Sequence, residues 1–126
     1  MKVKIFKTRE FHRWMRKTNL TNPLLCRAVQ EMQQGLIDAD LGGDLVKKRV
    51  PLPGRGKRGS ARTLIATNKL DRWFFVLGFE KQERANIDTK ELEALKAIAE
   101  DLLKLSSTQL SELVKRETLQ EIDCGN

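Results

Sequence analysis

Residues 45–79 read LVKKRVPLPGRGKRGSARTLIATNKLDRWFFVLGF. Their apolar period is two, whereas the spacing on either side is three to four, so this stretch predicts strands between helical segments. Residues 45–50 read as one strand. Residues 51–60 hold two Pro and three Gly and read as a loop. Residues 62–68 alternate, with Arg62, Leu64 and Ala66 on one face and Thr63, Ile65 and Thr67 on the other. Residues 68–71 have hairpin length. Residues 72–79 form the most apolar strand. Strict alternation predicts Trp73, Phe75, Leu77 and Phe79 on one face and Phe74, Val76 and Gly78 on the other. Two apolar faces place this strand centrally, under helices on at least one side.

Upstream, residues 2–6 alternate charge and bulk and predict a short strand with Val3 and Ile5 inward. Thr8 suits the cap of a helix carrying Phe11, Trp14 and Met15. Asn22-Pro23 predicts a second start, with Asn22 as cap and Pro23 at the first helical position. Leu25, Val29, Met32 and Leu36 give that helix its apolar stripe, and Gly35 with Gly42-Gly43 marks the exit. Downstream, Asp88 and Glu91 resemble a capping box. The helix they open is expected to bury Leu92, Leu95, Ile98, Leu102 and Leu105. Ser106 and Gln109 predict a short last helix with Leu110, Leu113 and Val114. These readings sum to an α+β domain over residues 1–105, an antiparallel sheet of about four strands packed by two N-terminal helices and a C-terminal helix. Residues 106–126 follow as a helical tail that packs back or meets a partner.

Charge is unevenly placed. Residues 45–72 hold nine Lys/Arg against Asp71, a net +8, while the whole chain is +7. Residues 88–126 are net −4. A local basic patch implies a polyanionic partner. No apolar run approaches the roughly 18 residues that span a bilayer. The start, MKVKIFKTREF, lacks the apolar core of a secretory signal, so a cytoplasmic location is expected. Two distant cysteines, Cys26 and Cys124, are then expected as free thiols. One His and two remote Cys do not assemble a zinc site, and no metal or cofactor is expected. His12 reads as an ordinary surface histidine. The loop GRGKRGS lacks the Walker A spacing. Its Gly54, Gly56 and Gly59 nevertheless permit close backbone approach to a ligand.

If the three strands pair in order, Lys47 or Arg49, the loop cations Arg55, Lys57 and Arg58, then Arg62 and Lys81 converge at one sheet end. Phe79 stands there as a base-stacking candidate. Spacing alone slightly favours a solvated basic loop that binds nucleic acid loosely.

The element order β-α-α-β-β-β-α with basic middle strands resembles the RelE/ParE superfamily of toxin–antitoxin toxins. Within residues 51–105, the run from PGRGKRGSARTLIATN through FEKQERANI to AIAEDLL is similar to the HigB-like branch, with its glycine- and arginine-rich loop and its later (Y/F)-x-K-(N/Q)-E run. The resemblance implies a metal-independent endoribonuclease that cleaves messenger RNA on the ribosome and inhibits translation. It carries over to Lys57, Arg58, Arg62 and Lys81 as catalytic positions. Arg62 and Lys81 would clamp the transition state, Lys57 transfer a proton and Arg58 hold the backbone. Lys47, Lys48, Arg49, Arg55 and Phe79 would bind RNA, the first three as docking charge for ribosomal RNA. A small helix-turn-helix antitoxin of HigA type is the implied partner. The chain contains no Tyr, so the phenol that some relatives use is replaced at the nearest place by Phe79. Gly59-Ser60 stands for the family's Gly-Gly. A ParE-like gyrase inhibitor and a non-catalytic nucleic-acid-binding module are the alternatives.

Overall fold

The computed structural model describes residues 2–54 and 59–125. Strands β3 (Leu45–Pro51), β4 (Ser60–Thr67) and β5 (Arg72–Glu80) form the expected antiparallel meander. The sheet is larger than expected, with six strands in the order β2-β3-β4-β5-β1-β6. Strand β2 (Ala39–Gly42) adds one edge. Strand β1 (Lys4–Thr8) lies parallel to β5, and β6 (Leu119–Ile122) pairs antiparallel with β1 at the other edge. The sheet is therefore mixed rather than purely antiparallel. Residues beyond 105 are not helical throughout, because their last segment supplies β6.

Helices α1 (Arg9–Met15) and α2 (Asn22–Gln33) cover one face. Ile5, Ile65, Trp73 and Phe75 project into that layer. Helices α3 (Thr89–Leu103) and α4 (Ser107–Lys115) cover the other face, over Phe6, Leu64, Ala66 and Phe74. Burial on both faces explains why β5 is so uniformly apolar.

The caps follow sequence chemistry, with one exception. Thr8 accepts from the Phe11 amide, Asp88 accepts from the Glu91 amide, and Ser106 with Gln109 forms a reciprocal capping box. Helix α2 starts one residue earlier than expected. Thr21 is its cap and Asn22 its first helical residue. The Asn22 side chain instead accepts from buried Lys7 Nζ at 3.0 Å.

Three further expectations are corrected. β5 does not alternate strictly. Leu64 opposes Leu77, but Ile65 opposes Phe75, so Val76 is an extra residue in a bulge. The bulge moves Leu77 and Phe79 to the face of Phe74. Ile98 is 44% exposed, and the small Ala99 is buried in its place. Finally, Cys26 on α2 and Cys124 beyond β6 are not free thiols but a disulfide, with Cα atoms 5.8 Å apart. Among the described residues no helix is long and apolar enough to cross a membrane.

Candidate phosphate-binding site

Register assembles the site. Arg49 on β3 is the direct partner of Arg62 on β4, and Arg62 is the direct partner of Phe79 on β5. Direct partners point to one face, with Cβ atoms about 5 Å apart. Arg49, Arg62 and Phe79 thus form one row across three strands. The bulge at Val76 is what brings Phe79 onto this face. The next row inward is Lys47, Leu64 and Leu77. The row stands at the end of the sheet where the β3–β4 loop emerges. The base of that loop is closed by the Leu52 amide donating to the Gly59 carbonyl at 2.8 Å. Arg55, Lys57 and Arg58 lie outside the described residues.

Like charges directly opposed across a ladder destabilise a sheet. Arg49 is exposed and Arg62 half-buried. Among the described residues neither guanidinium has an ion-pair partner, and neither do Lys47 and Lys81. Two opposed guanidiniums without a carboxylate form a fork that an anion with several oxygens fits.

Lys81 is exposed in the turn immediately after β5, two residues beyond Phe79. Glu83 shapes this turn. Its carboxylate accepts from the Glu80 amide at 2.8 Å and from Trp14 Nε1 at 3.0 Å. Trp14 in turn lies against Gly78, where an added Cβ would come within 2.2 Å of the indole. The turn carrying Lys81 is thus referenced to α1 through glycine, indole and carboxylate.

Two expected binding residues occupy other surroundings. Lys48 belongs to the opposite face and is 7% exposed. It pairs with Glu31 at 3.0 Å and donates to the Leu36 carbonyl at 2.8 Å. Its charge is neutralised inside the α2 layer and does not join the docking charge with Lys47 and Arg49. Phe79 is 2% exposed, and the Arg84 guanidinium lies over its ring, 5.4 Å from the centroid. It is a buried floor beneath Arg84, not an open stacking platform. Arg84 is held by Glu91 in the first turn of α3. Sequence reading passed over Arg84 and Glu83. Their signal was the charge-dense run from Glu80 to Arg84 directly after the most apolar strand.

The family model described as the RelE toxin of the RelE / RelB toxin-antitoxin system matches residues 3–122. The chain belongs to the RelE toxin family. No match is found among curated proteins. The RelE match spans all six strands and all four helices, including α4 and β6. The chain is therefore a toxin of a toxin–antitoxin system, with an antitoxin as its general partner. RelE toxins are generally endoribonucleases that act on messenger RNA at the ribosome and inhibit translation. Within this RelE fold, Arg49 and Arg62 are the two cations that register places in one row at this end of the sheet.

Proposed function

We propose that this RelE toxin is a ribosome-dependent messenger-RNA endoribonuclease of the HigB-like branch, working in the cytoplasm without a metal and neutralised by a helix-turn-helix antitoxin of HigA type. The observation that supports this reading best is the Arg49–Arg62 pair, two arginines directly opposed across a ladder and, among the described residues, neither ion-paired with a carboxylate. Such a pair is unfavourable for the sheet alone and favourable once a phosphate is present.

In the proposed reaction the 2′-oxygen of one nucleotide attacks the adjacent phosphorus and the bond from phosphorus to the 5′-oxygen breaks. The products are a 2′,3′-cyclic phosphate and a free 5′-hydroxyl. One proton leaves the 2′-hydroxyl and one reaches the 5′-oxygen, so protons balance overall. Arg62 and Lys81 stabilise the extra negative charge on the phosphorane, the contribution cations make most directly. Arg49 and Lys47 hold the flanking backbone, with Arg55 from the loop. Lys57 serves as the proton-transfer group and Arg58 fixes the strand. In-line alignment of the 2′-oxygen comes from the ribosome, which converts a weak intrinsic catalyst into an effective one by orientation.

Primer extension on translated messenger RNA tests this with wild type and the Arg62→Ala/Lys81→Ala double variant. Cuts within translated codons, reduced at least 100-fold in the double variant, are expected. Undiminished cutting by the variant overturns the site. No cutting by wild type, with inhibition of DNA gyrase instead, overturns the ribonuclease reading in favour of a ParE-like one.

A further inference from the structure

Residues 2–17 contain a second concentration of positive charge that the phosphate site does not use. They hold Lys2, Lys4, Lys7, Arg9, Arg13, Arg16 and Lys17 against the single acid Glu10. Five of these cations are exposed, Lys2 ahead of the first strand and Arg9, Arg13, Arg16 and Lys17 on α1 and the turn after it. At about 100° per residue the last four fall within an arc of roughly 100° on α1 and its C-terminal turn. The centre of that arc lies opposite Phe11 and Met15, which are buried against the sheet. The helix thus has an apolar inner face and a cationic outer stripe, flanked on one side by the exposed Glu10. Among the described residues none of the four pairs with a carboxylate. Among the described residues the only acceptor for any of these four side chains is the Arg116 carbonyl, 3.5 Å from Arg9 Nη2.

Helix stability does not account for the stripe. A cation in the last turn complements the helix dipole, and Arg13 and Arg16 do so. Arg9, however, is the first helical residue, where the dipole opposes a cation. The local potential is also felt by its neighbour. Burial foremost, and then Lys7 and Arg16, hold His12 below its ordinary 6.5. The placement of α1 relative to the site is equally specific. Trp14 packs on Gly78, one row from Arg62 and Phe79. Just past the helix, Asn19 Nδ2 reaches the Pro53 carbonyl at the start of the β3–β4 loop, at 3.5 Å. The C-terminal half of the stripe therefore borders the sheet end that carries the phosphate site, from the opposite face.

We propose that the outer face of α1, through Arg9, Arg13, Arg16 and Lys17, is a second docking surface that grips the phosphate backbone of folded ribosomal RNA while messenger RNA occupies the Arg49–Arg62 site. It rests on the ribosome-dependent reading above. The two surfaces share one end of the molecule but lie on different faces, so one RNA strand in the cleavage site leaves the helix free for a second, structured one.

The test is the salt dependence of binding to purified ribosomes, measured for wild type, Arg13→Ala/Arg16→Ala/Lys17→Ala, the matching all-Lys variant and Arg62→Ala. Each phosphate contact contributes about 0.9 to the logarithmic slope on a duplex. Losing three contacts should lower the slope by about 2 to 3, so the wild-type advantage should shrink about 40-fold between 50 and 200 mM salt. The all-Lys variant should keep the slope. Arg62→Ala should bind ribosomes with a loss of at most one contact while losing cleavage. Circular dichroism melting of the triple variant within a few degrees of wild type shows that the surface and not the fold was changed. An unchanged salt slope in the folded triple variant overturns the second surface and leaves the cleavage reading standing. Loss of antitoxin binding with an unchanged ribosome slope also overturns it, and assigns the stripe to a protein partner. A wild type that does not bind ribosomes overturns both readings together.

Discussion

Cys124→Ser should make this protein much less stable, by an amount that follows from chain length. The Cys26–Cys124 bond joins residues 98 apart in sequence. Closing a loop of that size in the unfolded chain removes entropy equivalent to about 4.7 kcal/mol at 25 °C, an upper figure because real unfolded chains retain structure; native disulfides more commonly contribute 2–4 kcal/mol. A chain of 126 residues has an unfolding entropy near 0.26 kcal/mol per kelvin at its melting point. Removing the bond should therefore lower Tm by roughly 8 to 18 °C. Folding should persist, because β6 remains paired with β1 and keeps Leu119 and Ile122 buried. The assay is calorimetry of the oxidised wild type, the wild type reduced by a dithiol, and Cys124→Ser. The last two should agree. Reduced and oxidised proteins melting within about 2 °C of each other would refute the reasoning that the bond restrains the unfolded chain.

Gly78→Ala should lose about 1–3 kcal/mol by overpacking, since its Cβ meets the Trp14 indole and cannot be absorbed without moving α1; urea titration reads the loss, and Trp14→Leu in the same background should recover part of it. Lys7→Met should raise Tm at pH 7, because burial lowers the Lys7 pKa from its ordinary 10.5 and the cost of the buried ammonium is fully present below that lowered value. Between the folded and unfolded pKa values the unfolded chain binds the extra proton, so wild-type stability rises with pH there and the advantage of Lys7→Met should shrink toward pH 10.5. His12, held below 6.5, should make the wild type lose stability as pH falls from 6.5, and His12→Gln should remove that dependence in a pH series of melts. Arg84→Ala should uncover Phe79 and release Glu91, changing KM for messenger-RNA cleavage more than Arg49→Ala does if the Arg84–Phe79 stack forms a wall of the site.

The parts of the fold that were legible in the sequence are those whose signals are local. The meander of β3, β4 and β5 follows from a period of two and from turn chemistry. The caps at Thr8, Asp88 and Ser106 follow from hydroxyl and carboxylate residues placed three before a helical amide. The bulge at Val76 was not legible, because Phe74, Phe75, Val76 and Leu77 are all apolar and such a run carries no phase. Neither were β2 and β6, four residues each, nor the parallel pairing of β1 with β5, which joins residues about 68 apart. The disulfide is non-local in the same way. In the site, Arg49 and Arg62 were recognisable from alternation, and register then made them direct partners. Lys48 was not separable from Lys47 by composition. Only the fold reveals that Glu31 on α2 waits on its face.

The bulge also links fold to site. Without Val76 as an extra residue, Phe79 would face α1 and Gly78 would face α3. Trp14 would then have no glycine to lie on, and the row beside Arg62 would end in a residue with no side chain. With the bulge, one residue of slip gives α1 its close approach at Gly78 and gives Arg62 an aromatic neighbour at Phe79. The same indole holds Glu83, whose carboxylate closes the turn that presents Lys81. A single irregularity in β5 therefore positions α1, the turn and the cationic row together. Deleting Val76 should keep Leu77, Gly78 and Phe79 opposite Leu64, Thr63 and Arg62, whereas inserting one residue after Val76 should disturb all three at once, since a one-residue slip sends every later side chain to the other face.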